Sequence, residues 1–83
     1  MLIVANWKMH GDPARIRRWM DAVSAAFTGD ASAPECVLCP PALWLESAHA
    51  HLGDNPVLKL GGQDCRAEAE GAFTGDISAR MLA

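Results

Sequence analysis

Leu2-Ile3-Val4-Ala5-Asn6-Trp7-Lys8 is the stretch that decides the fold. Its first four residues are apolar, and Ile3 and Val4 are β-branched. A short continuous run of this kind predicts a strand covered on both faces, as in a parallel sheet. Alternate side chains of a strand share a face. Asn6 and Lys8 are therefore expected to project together, in phase with Leu2 and Val4, while Ile3, Ala5 and Trp7 project oppositely. An amide and an ammonium at the C-terminal end of a buried strand are costly unless they meet water or a ligand. In α/β sheets and barrels that end is where ligands bind. The competing reading is that both side chains only hydrogen-bond to neighbouring loops.

The pattern changes at Gly11-Asp12-Pro13. Asp12 suits an N-cap, and Pro13 suits the first helical position, where its missing N–H would have had no partner. Ile16, Trp19, Met20, Val23, Ala26 and Phe27 follow at steps of three and four, one apolar stripe on a helix. Gly29 is the expected stop. The events then repeat. Cys36-Val37-Leu38-Cys39 reads as a second strand. Pro40-Pro41 ends it and opens a helix with Leu45, Ala48 and Leu52 on one face and Gly53 at its end. Val57-Leu58-Lys59-Leu60 reads as a third strand, interrupted by its lysine. Gly61 to Asp76 is a glycine- and charge-rich loop. Ile77 to Ala83 opens a third helix, with Ser78 as its N-cap.

Strand and helix alternating three times is the βα signature, which forces parallel pairing with right-handed crossovers. Residues 1–83 are expected to form one such unit, with helix-forming sequence up to Ala83 and therefore part of a longer chain.

Composition narrows the function classes. The chain has 83 residues, 51% hydrophobic and 20% charged, with a formal charge of −3. A pI of about 5.4 and a mean hydropathy of +0.06 describe a globular chain without the basic surface that nucleic acid or an anionic membrane would select. No apolar run approaches the ~20 residues of a membrane helix. Leu2–Ala5 is too short for a signal sequence and has no basic residue before it, so a cytoplasmic location is expected. Three cysteines, an odd number, fit a reducing compartment.

Four short motifs carry a family resemblance. Asn6-Trp7-Lys8-Met9 resembles the N-terminal strand motif of the triose-phosphate isomerases. Cys39-Pro40-Pro41 is similar to the end of that family's second strand, and Gly62-Gln63-Asp64 to the end of its third. Gly71-Ala72-Phe73-Thr74-Gly75-Asp76-Ile77-Ser78 resembles its third-loop segment. Each motif is weak alone, but together they stand in order and at matching spacing along nearly the whole chain. The resemblance implies the first three βα units of a (β/α)8 barrel, a fold of about 250 residues, and hence an incomplete barrel here. It further implies an isomerase of glycolysis and gluconeogenesis that interconverts dihydroxyacetone phosphate and glyceraldehyde 3-phosphate through an enediolate, needs no cofactor or metal and is usually a homodimer. By position, Lys8 would set its ammonium against the substrate oxygens and phosphate, and Asn6 would bind substrate and help hold Lys8. Phe73, Thr74, Gly75 and Asp76 would form a loop that docks beside the partner's active site, with Thr74 meeting its Asn and Lys. The family's proton-moving histidine and glutamate follow its fourth and sixth strands. None of His10, His49 or His51 stands there, nor does Glu35, Glu46, Glu68 or Glu70, so these 83 residues alone are expected to be inactive.

There are departures from the family pattern. Ala5 replaces a glycine, His10 an asparagine and Asp64 an asparagine. Asp76 is one methylene shorter than the usual glutamate, which would weaken or remodel an ion pair between subunits. Two other function classes compete. One is a non-catalytic βα module that associates through its sheet edges. The other is a thiol redox module on Cys36 and Cys39, disfavoured because Val37 and Leu38 place the two thiols on different faces of a strand. His49 and His51 are expected to face solvent rather than a metal. Arg15, Arg17 and Arg18 read as the wet face of the first helix, and Trp7, Trp19 and Trp44 as packing residues. Gly61-Gly62 is a turn, not a phosphate loop.

Overall fold

The computed structural model describes residues 1–27 and 32–83. Strand β1 (Leu2–Asn6) leads to helix α1 (Pro13–Ala26), strand β2 (Glu35–Cys39), a 3-10 turn (Ala42–Trp44), helix α2 (Leu45–Leu52), strand β3 (Leu58–Leu60) and helix α3 (Ala79–Leu82). Among the described residues the strands form one parallel sheet in the order β1-β2-β3. This is the expected alternation of three strands and three helices.

The local signals work as elementary chemistry requires. Asp12 caps α1 by accepting a hydrogen bond from the Arg15 N–H at 2.8 Å, and Pro13 takes the first turn. At the other end the Phe27 N–H donates to the Val23 carbonyl. The expected stop at Gly29 lies outside the described residues. Gly53 (φ 53) ends α2, and Ser78 caps α3 through the Met81 N–H.

The core lies on one side of the sheet. Ile16 and Met20 of α1 and Ala48 of α2 pack with Cys36, Leu38 and Leu58, all essentially buried. The register Ile3↔Cys36 and Ala5↔Leu38 puts the odd positions of β1 on this side, where Ala5 and Trp7 join the cluster with Trp19 and Trp44. Burying each large aliphatic side chain is worth about 1.5–3 kcal/mol.

The opposite face differs from expectation. β1 is not covered on both sides: Leu2 and Val4 are 58% and 56% exposed. Both helices pack on the Ala5 side, and β1 is an edge with one neighbour. The same face explains the lysine in β3. Lys59 and Glu35 form an ion pair across it, diagonal to the Val37↔Lys59 register, and charge on an edge strand discourages unwanted pairing.

Candidate functional site

The site is built where β1 ends, and it ends earlier than its sequence suggests. Asn6 is the last strand residue. The Trp7 N–H still reaches the Cys39 carbonyl at 3.0 Å. Lys8 then adopts φ 52, the one left-handed non-glycine among the described residues. Such a conformation costs of order 1–3 kcal/mol and persists only when its surroundings fix it. Here they do. The Lys8 N–H donates to Asn6 Oδ1 at 2.8 Å, and the Lys8 carbonyl accepts from Gln63 Nε2 at 2.8 Å. Gln63 Nε2 also donates to the Cys39 carbonyl at 3.0 Å. One side-chain amide thus ties the turn after β1 to the end of β2, while the His10 N–H closes the turn onto the Trp7 carbonyl at 3.2 Å.

This corrects the strand argument for Lys8. Its direction is set by a left-handed turn held at both peptide groups, not by strand alternation. Asn6 does remain on the strand, in phase with Leu2 and Val4 and away from the helices. Both residues are exposed at the C-terminal ends of parallel strands. Lys8 forms no ion pair among the described residues. The arrangement exposes an ammonium and an amide at a turn fixed by hydrogen bonds, and such donors suit a phosphate or a developing oxyanion.

The Phe73–Asp76 loop makes no hydrogen bond to Asn6 or Lys8 in the same chain. Gln63, which donates to the Lys8 carbonyl, lines a cavity of about 180 Å³ together with Gly75 and Asp76. Within the loop the Asp76 N–H donates to the Phe73 carbonyl at 3.0 Å, with Gly75 at φ 89. Asp76 pairs with Arg66 of its own chain, Oδ2 to Nη1 at 3.2 Å. Phe73 is 37% exposed, with its ring against the Arg66 guanidinium.

The competing motifs fare less well. Cys36 lies on the helix-covered face of β2 and Cys39 on the other, and all three cysteines are free. Burial pushes both the Cys36 and Cys39 thiols up, opposite to what a redox thiolate needs. His49 and His51 are both exposed, but His51 is not idle: its Nε2 lies 2.7 Å from Asp21 Oδ1, joining α2 to α1. Arg15, Arg17 and Arg18 are exposed, and Arg15 sits 5.7 Å from the Trp7 ring centroid. No group of three or more His, Cys, Asp or Glu side chains converges among the described residues, and no helix among them is long and apolar enough to cross a membrane.

Gln63 and Arg66 are the residues that sequence reasoning underused. The signal for Gln63 is its place just after a strand end, where the carbonyl that ends β2 and one in the turn after β1 need a donor.

Comparison with known proteins agrees with the fold. The family described as Triosephosphate isomerase matches residues 1–83. The chain is 42% identical over 83 residues to the triosephosphate isomerase of Ehrlichia chaffeensis, covering 99% of this chain and 33% of that protein. It is 43% identical over 82 residues to that of Ruegeria pomeroyi, covering 99% and 31%. Among solved structures, the crystal structure of triosephosphate isomerase from Bartonella henselae superposes with a TM-score of 0.80 at 38% identity, covering 98% of this chain and 32% of that one. The chain therefore spans about a third of the length of the curated relatives it matches.

Proposed function

The chain belongs to the triosephosphate isomerase family, and from that premise we propose that it supplies the electrostatic part of a site interconverting dihydroxyacetone phosphate and glyceraldehyde 3-phosphate. Moving a proton between two adjacent carbons passes through an enediolate, so negative charge grows on a substrate oxygen. Lys8 stabilises that charge and the phosphate, and Asn6 hydrogen-bonds substrate while holding the Lys8 backbone. The observation that carries this reading is Lys8 itself, held at φ 52 with both its peptide N–H and its carbonyl bonded to side chains. Removing one such preorganised donor typically costs about 10²–10³ in rate.

An enediolate cannot form without a base. None of the glutamates and histidines in these 83 residues stands where the family keeps its proton-moving pair. These residues by themselves are accordingly inactive, and a protein that also carries the missing pair is active without a cofactor. We further assign Phe73–Asp76 to docking on a second copy beside its Asn6 and Lys8, and the protein to the cytoplasm.

A coupled isomerase assay on the 83-residue chain and its Lys8→Ala variant tests this. The expected result is no difference between them. Turnover that disappears with Lys8→Ala would overturn the division of labour, because it would place a working base within these residues.

A further inference from the structure

We propose that Arg66 is a positioning residue whose guanidinium locks residues 66–78 into a preformed docking element for a second copy of this chain. The partner rests on the docking reading above; the residue that shapes the loop is new.

The two ends of the segment are joined like a short piece of parallel ladder. The Arg66 N–H donates to the Ile77 carbonyl at 2.8 Å, and the Ala79 N–H donates to the Arg66 carbonyl at 3.0 Å. Between these ends the guanidinium works in three directions. Its Nε donates to Glu68 at 3.2 Å, its Nη1 donates to Asp76 at 3.2 Å, and its carbon lies 3.7 Å from the Phe73 ring centroid. The ring has room because residue 71 is glycine: at φ 153, an added Cβ would stand 2.8 Å from Phe73 Cε2. Thr74 lies inside the turn that the Asp76 N–H closes onto the Phe73 carbonyl. Both flanks of Thr74 are therefore held by one side chain.

Only a guanidinium does this. It offers separated donors in a planar fork and a face that stacks on an aromatic ring, whereas a lysine supplies one point charge. The contacts are half-exposed and individually small. They share a single side chain, however, and a loop ordered in advance loses less freedom when it docks.

Charge selects a second copy as the occupant. The loop carries Glu68, Glu70 and Asp76 against Arg66. The turn after β1 and the opening of α1 carry Lys8, Arg15, Arg17 and Arg18 against Asp12. In a two-fold pair each acidic loop meets the other chain's basic turn, so both contacts form together.

Amide hydrogen exchange and sedimentation equilibrium on the chain, Arg66→Gln and Arg66→Lys test the proposal. In both variants exchange at Asp76 and Ala79 should speed up by about fivefold, while Leu38 and Leu58 in the sheet keep their protection and show that the fold survives. The dimer dissociation constant should rise by a similar factor. Thr74→Ala should weaken the dimer less in the Arg66→Gln background than in the parent chain. Unchanged exchange in both variants overturns the proposal, as does parent-like protection in Arg66→Lys. Faster exchange with an unchanged dimer constant overturns the link to docking. A parent chain that stays monomeric defeats the docking reading itself, and the exchange data still decide whether Arg66 shapes the loop.

Discussion

Lys8 shows how far residue identity can carry an argument. Strand alternation correctly grouped Asn6 with Leu2 and Val4, because those residues lie on β1. It failed one turn later, because a left-handed φ at a lysine has no residue-type signal of the kind a glycine would give. The bonds that hold it come partly from Gln63, 55 positions away. The cysteines were more legible. A two-residue apolar spacer on a strand puts two thiols on opposite faces, and β2 has that arrangement. The burial of these cysteines sets their reactivity. Cys65 is exposed, whereas Cys36 and Cys39 are buried with thiols pushed above the usual 9.0. A disulfide-exchange reagent at mildly alkaline pH should modify one thiol fast and two at the rate of unfolding. Three equally fast thiols would contradict the packing of β2.

The elements were the best-read level. Ile16 and Met20 on α1, with Asp12 and Pro13 before them, carried both the period and the start of the helix. The third strand was the weak one, because Lys59 breaks an apolar run and its partner Glu35 lies on another strand. Long-range pairing of this kind is not written in local sequence. It does have a pH signature. The hydrogen bond and charge of Lys59 lower the Glu35 carboxyl below its usual 4.5. The folded sheet therefore favours the carboxylate more than the unfolded chain does. The resulting stability is present above the unfolded value and is lost as pH falls through the lowered folded one. Urea midpoints measured from neutrality to about pH 3 should fall less steeply for Lys59→Met than for the parent chain. Equal slopes would show that the pair contributes nothing.

On the scale of the whole molecule, the sheet is covered by helices on one side, and on the other β1 is bare. Leu2 and Val4 face outward, and β1 and β3 are both edges. Composition alone could not reveal this, since the apolar content is ordinary for a globular chain. Three strands cannot close an eight-stranded barrel, and the relatives are about three times longer. The side that carries Asn6 is thus the side turned away from α1 and α2, as a barrel interior requires.

The proposed function depends on Asn6 and Lys8 meeting a phosphorylated triose at that mouth. Titrating the isotope-labelled chain with dihydroxyacetone phosphate, while following backbone amides by NMR, tests it most directly. Saturable shifts at Asn6, Lys8 and Gln63 that vanish in Lys8→Ala are the predicted result. Shifts centred instead on Arg17 and Arg18, undiminished by Lys8→Ala, would contradict it.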